Sequence, residues 1–303
     1  TANAVFNLLI VYAIPRLMTD TPSRLTVLAR LALILCLCTS MGVVLKLNAD
    51  SASFVYQDMG FLYNDAHYIA SVAKNIINGE GVSYWNGLDY RFMDPEISSG
   101  PVVFLPLAVA LYAGVDEWKA FNTVPIIVNL IIFAVLMWRL SKRTPLLTFS
   151  SLCLAAGVIC LSFQRWQWRL PLGEVPAALC FLLAIDYYAA AYSTSQHGAV
   201  KHTTDTTQRS LTSALMFKSG LSWCLALLSK MLVLLSLPVF LLFIAREKNH
   251  LQRLFIWLAG TSTPMMAYLV FCFVTMPNHD ASLIWASLVD YVFFNFNFGI
   301  ADW

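Results

Sequence analysis

Charge is scarce in this chain: Asp, Glu, Lys and Arg make up 12% of its 303 residues, about half the share of an ordinary soluble domain. Hydrophobic residues make up 59%, and mean hydropathy is +0.68. That balance excludes a solvated globule and predicts a polytopic membrane protein. Its class is all-α, because lipid-facing backbone must close its hydrogen bonds within helices. A net charge of +2 gives no footing for nucleic acid. No His/Cys cluster has a zinc spacing. The seven cysteines (Cys36, Cys38, Cys153, Cys160, Cys180, Cys224, Cys272) all lie in apolar runs and read as small packing residues. Internal repeats are also lacking, which removes the paired halves of a secondary transporter. There is no Asn-x-Ser/Thr sequon, a weak pointer to a bacterial membrane.

What is present is a series of long apolar runs. Spans are expected at about 25–45, 121–138, 146–163, 175–192, 214–229, 231–245 and 254–275, since some 20 residues cross the hydrocarbon core. Pro101–Ala113 is too short for a span and suits a re-entrant or interfacial helix. Residues 1–24 read as an inner interfacial segment rather than a cleavable signal. If Pro101–Ala113 does not cross, Arg16, Arg24, Arg30, Arg139, Lys142, Arg143, Lys201, Arg209, Lys218, Arg246, Lys248 and Arg253 all fall inside. That is twelve of the 19 basic residues, as the positive-inside rule requires. The transmembrane module then covers 25–275, with a polar, flexible inner loop at 193–213. The segment 276–303 emerges outside and reads as a truncated continuation.

The largest polar excursion is the first outer loop, residues 46–100. It holds Asp50, Asp58, Asp65, Glu80, Asp89, Asp94 and Glu96, seven of the 17 carboxylates. Within it Ile69, Val72, Ala73 and Ile76 recur at helical spacing. This predicts an amphipathic helix on the outer membrane surface, capped by Asn64 or Asp65 and stopped by Gly79. Asp65 then stands at the lipid–water boundary, either as a simple N-cap or as a working carboxylate.

In order, the chain presents Asn64-Asp65-Ala66-His67-Tyr68 with Ala73-Lys74-Asn75 and Gly79-Glu80-Gly81. Ser99-Gly100-Pro101 with Leu105-Pro106-Leu107 comes next. Leu172-Gly173-Glu174-Val175-Pro176-Ala177 and Leu227-Leu228-Ser229-Lys230 follow. Together these resemble the GT-C superfamily of membrane glycosyltransferases, which includes protein O-mannosyltransferases, the aminoarabinose transferase of lipid A and mycobacterial arabinofuranosyltransferases. The resemblance covers roughly 25–275 and rests on motif order and outer placement, since no one motif is specific. It implies a GT-C-type transmembrane module and transfer of a sugar from a polyprenyl-phosphate carrier to an unnamed acceptor. The expected location is a bacterial inner membrane, with the site facing the periplasm. In the family pattern the first-loop acid often occupies the position of Asn64. Here the base would be Asp65 or Asp58, or the site is inactive and the chain is a structural subunit of a larger membrane complex.

Such a transfer needs a base for the attacking oxygen and positive charge for the leaving phosphate. Lys230, Arg165 and Arg169 are the candidates for phosphate, with Glu174, His67 and Tyr68 as further site residues. Asp65 and Glu174 could hold Mg²⁺ or Mn²⁺, the hard ions that suit carboxylate and phosphate. Each has a plainer reading. Lys230 could snorkel. Arg165 and Arg169 could anchor the interface beside Trp166 and Trp168. Glu174 could complement a helix dipole, and His67 and Tyr68 could be interfacial polar residues. Asp186, near the inner end of a span, is read as an inner hydrogen-bonding or interfacial residue.

Overall fold

The computed structural model describes residues 24–51, 64–85, 90–92, 100–163, 173–201, 206–247 and 249–275. The described residues are predominantly helical: α1 (Arg24–Ser51), α2 (Asn64–Ile77), α3 (Pro101–Tyr112), α4 (Glu117–Ser141), α5 (Leu146–Phe163), α6 (Glu174–Lys201), α7 (Thr206–Leu227), α8 (Leu237–Ala245) and α9 (His250–Thr275). A short hairpin of β1 (Ser83–Trp85) and β2 (Tyr90–Phe92) lies between α2 and α3, antiparallel with Tyr84 opposite Arg91.

Four stretches are long and apolar enough to cross a membrane: Thr26–Lys46, Lys119–Ser141, Glu174–Thr194 and His250–Thr275. The chain is thus a membrane protein in its helices, and among the described residues four of the seven expected spans meet that length and hydropathy. The expected span at 231–245 is broken. Met231–Ser236 forms a 3-10 segment, and Pro238 lies in the first turn of α8, the helix that follows. α7 carries polar residues through its first half and falls below the others in hydropathy. The helix at Pro101–Tyr112 is short, as its sequence predicts.

The inner loop expected at 193–213 is largely helical instead. α6 runs on to Lys201 and α7 begins at Thr206. The polar residues stay in helix by turning their hydroxyls inward: Ser193 Oγ donates to the Ala189 carbonyl (2.9 Å) and Thr194 Oγ1 to Ala190 (2.8 Å). Their side chains close bonds along the helix that could otherwise compete with it.

Three apolar cores hold the helices together. One joins α2, α3, the start of α4 and Cys272 of α9. The second joins α1, α4, α5 and α6, and the third joins α6, α7, α8 and α9 around Trp257. α7 and α9 cross closely at two glycines. A Cβ on Gly220 would overlap the Trp257 carbonyl oxygen, and one on Gly260 the Phe217 carbonyl oxygen. Small residues let membrane helices approach in this way.

α2 ends as expected, with Gly79 at φ +80°. Its apolar face, expected against lipid, is covered by protein. Ile69, Val72 and Ala73 are buried in one core with Val103, Phe104 and Leu107 of α3. The short helix α3 therefore supplies the partner for the amphipathic helix before it.

Candidate functional site

Lys230 sits in the turn between α7 and the 3-10 segment, with extended backbone (φ −150°, ψ 122°). Its amide donates to the Ala226 carbonyl (3.0 Å), and its own carbonyl accepts from Val233 (3.2 Å). The side chain is 11% exposed, and Nζ pairs with Glu174 Oε1 at 2.8 Å. Glu174 opens α6. Its other carboxylate oxygen, Oε2, is buried without a hydrogen-bond partner. The motif residues Gly173-Glu174 and Ser229-Lys230 are thus brought together across two helices.

The exit of the first loop joins the same turn. The Gly100 amide donates to the Ser229 carbonyl (3.2 Å), and the Val102 amide to the Leu228 carbonyl (3.5 Å). A Cβ on Gly100 would overlap the Leu228 carbonyl oxygen, so glycine is needed for this approach. Pro101 follows in the first turn of α3, where its missing N–H costs nothing. Three of the four segments singled out in the sequence therefore meet at one turn. The fourth, α2, packs on α3 and is tied to the start of α4 by Lys74 Nζ–Glu117 Oε1 at 2.7 Å.

Asp65 lies in the first turn of α2, as expected. Asp58, Arg165 and Arg169 lie outside the described residues, as do the side chains of Asp65, His67 and Tyr68. Among the described residues no group of three or more His, Cys, Asp or Glu side chains converges as a metal site. Glu174 meets a lysine rather than a second carboxylate.

Asn75, part of the motif Ala73-Lys74-Asn75, has a structural role that the sequence did not assign. It is buried, and its Nδ2 donates to the Ser83 carbonyl (2.8 Å) and Ser83 Oγ (3.3 Å), fixing the hairpin to α2. A polar residue one step from the apolar stripe was the available signal.

The other end of the bundle holds two buried ion clusters. Asp186 pairs with Arg139 Nε and with Arg143 Nη1, each at 2.9 Å, and the Arg139 guanidinium lies 4.3 Å from the Tyr187 ring centroid. Glu247 pairs with Arg253 and accepts from Tyr188 Oη at 2.6 Å. These pairs bring the C-terminal end of α4 and the distal half of α6 to the α8–α9 connection. Lys230, Glu174 and Gly100 lie at the opposite ends of their helices. Comparison with family models, curated proteins and solved structures finds no significant match.

Proposed function

We propose that the chain is a GT-C-type membrane glycosyltransferase that moves a sugar from a polyprenyl-phosphate carrier to an acceptor at the Lys230 end of the bundle. One observation carries the reading: Lys230, nearly buried between short apolar segments, meets Glu174 beside the Gly100 exit of the acidic first loop. An ionisable group at such a place is a functional candidate by default. Lys230 holds the leaving phosphate as a point charge. Glu174 positions that lysine and yields it when phosphate enters. Asp65 or Asp58 takes the proton from the attacking hydroxyl, which strengthens the nucleophile as the C–O bond to phosphate breaks. The phosphate leaves as an anion and needs no proton. Any Mg²⁺ or Mn²⁺ would rest on Glu174 Oε2 and Asp65. The described side chains supply only the first of these, so no step is assigned to a metal.

The proposed orientation places this end outside a bacterial inner membrane, following the basic residues at the other end. The test is transfer of labelled sugar from a polyprenyl-phosphate donor by the full chain in lipid nanodiscs. Asp65→Asn should lower the rate by about two orders of magnitude or more, the usual contribution of a general base. Loss in Asp58→Asn alone would move the base to Asp58. Transfer unaffected by either change would sink the mechanism.

The second reading is an inactive structural relative. It is favoured by the same ion pair, because Lys230 already has a carboxylate partner. Absence of transfer with every donor tried, together with copurification of a membrane partner, would select it.

A further inference from the structure

At the opposite end of the bundle a cavity of 310 Å³ opens between α1 and α4, lined by Val27, Arg30, Trp138, Ser141 and Lys142. This lies at the lower end of small-ligand pocket volumes. Arg30 donates through Nη2 to the Thr144 carbonyl (3.0 Å), while its Nε is buried with no hydrogen-bond partner. Lys142 Nζ lies 4.8 Å from the Trp138 ring centroid. Neither cation is paired with a carboxylate among the described residues. The adjoining Arg139 and Arg143 share the single carboxylate of Asp186. Among the described residues, four cations thus stand against one carboxylate at this corner. A half-buried guanidinium without a counter-charge is costly, and an anion in the cavity would offset it.

We infer that this cavity binds a phosphate-bearing anion, with Arg30 and Lys142 holding the phosphate. Trp138 and Val27 line its apolar wall. That wall suits the head group of an anionic phospholipid, whose glycerol and first methylenes pack against the ring. Basic pockets between membrane helices recognise head groups in this manner, and tryptophan favours the headgroup level. The site is independent of the proposed transfer reaction, since it lies at the other end of α4 from Glu117 and Lys74.

The test measures binding of phosphatidylglycerol and phosphatidylcholine to the detergent-solubilised full chain by native mass spectrometry, with inorganic phosphate as competitor. Phosphatidylglycerol should bind preferentially. Lys142→Gln should weaken it about fivefold, the loss expected for one basic residue beside an anionic lipid. Its side chain is exposed, so the fold should survive. Arg30→Lys, which keeps the charge, should weaken binding less than Arg30→Gln. Lys119→Gln, at the far end of α4, should change nothing. Competition by inorganic phosphate would assign the site to soluble phosphate, and lack of competition to the lipid. Equal binding of both lipids, or binding indifferent to Lys142 with no phosphate bound, would overturn the inference.

Discussion

Gly100 shows how one residue sets the candidate site. Its lack of a side chain lets the first loop re-enter the bundle against the 228–230 turn. Gly100→Ala must push that turn away, at a cost of about 1–3 kcal/mol for overpacking. The expected result is a lower unfolding temperature for the detergent-solubilised chain. Unchanged stability would mean that the contact is loose. Asp186 is the corresponding residue at the other end. Its side chain is 7% exposed and bridges two arginines. Asp186→Ala should cost about 3 kcal/mol or more, because it leaves buried guanidinium charge uncompensated. A chemical-denaturation or thermal series would register it. At this scale the sequence was partly legible. Lys230 and Glu174 stood out as ionisable groups flanked by apolar runs, and they do meet. That Asp186 would join Arg139 and Arg143 was not legible, because 47 and 43 positions separate them and only packing brings α4 beside α6.

Among the elements, α2 was the most legible. Its stripe of Ile69, Val72, Ala73 and Ile76 and its glycine stop predicted the helix and its end. What covers the stripe was hidden, since an apolar face reads the same against lipid as against α3. The polar tail of α6 misled for another reason. Serine and threonine are poor helix formers in isolation, but a helix already held by packing carries them outward with inward-turned hydroxyls. The break after Lys230 was also hidden: Met231–Ser236 is as apolar as a span, yet it winds as 3-10 helix ahead of Pro238. The α7–α9 crossing gives a test at this scale. Gly220→Ala would force its methyl onto the Trp257 carbonyl and separate the helices. It should lower thermal stability more than Gly42→Ala, where the nearest neighbour is a flexible Leu130 methyl at 3.2 Å.

For the molecule as a whole, the described helices have two chemically distinct ends. One gathers Arg30, Arg139, Lys142, Arg143 and Arg253, with Asp186 and Glu247 among them. The other gathers Gly100, Glu174 and Lys230, with Lys74 and Glu117 nearby. The separation follows from helices that alternate in direction, and the basic clusters in the sequence anticipated it. The number of spans was less legible, because apolar length alone does not separate a crossing helix from a broken or short one. The central question is whether the Lys230 end takes a lipid phosphate. Binding of polyprenyl monophosphate to the full chain in nanodiscs, wild type against Lys230→Gln, measures this directly. The wild type should bind, and the variant should lose about tenfold or more in affinity, the scale of a charge-assisted contact. Equal affinity in the two proteins would contradict it.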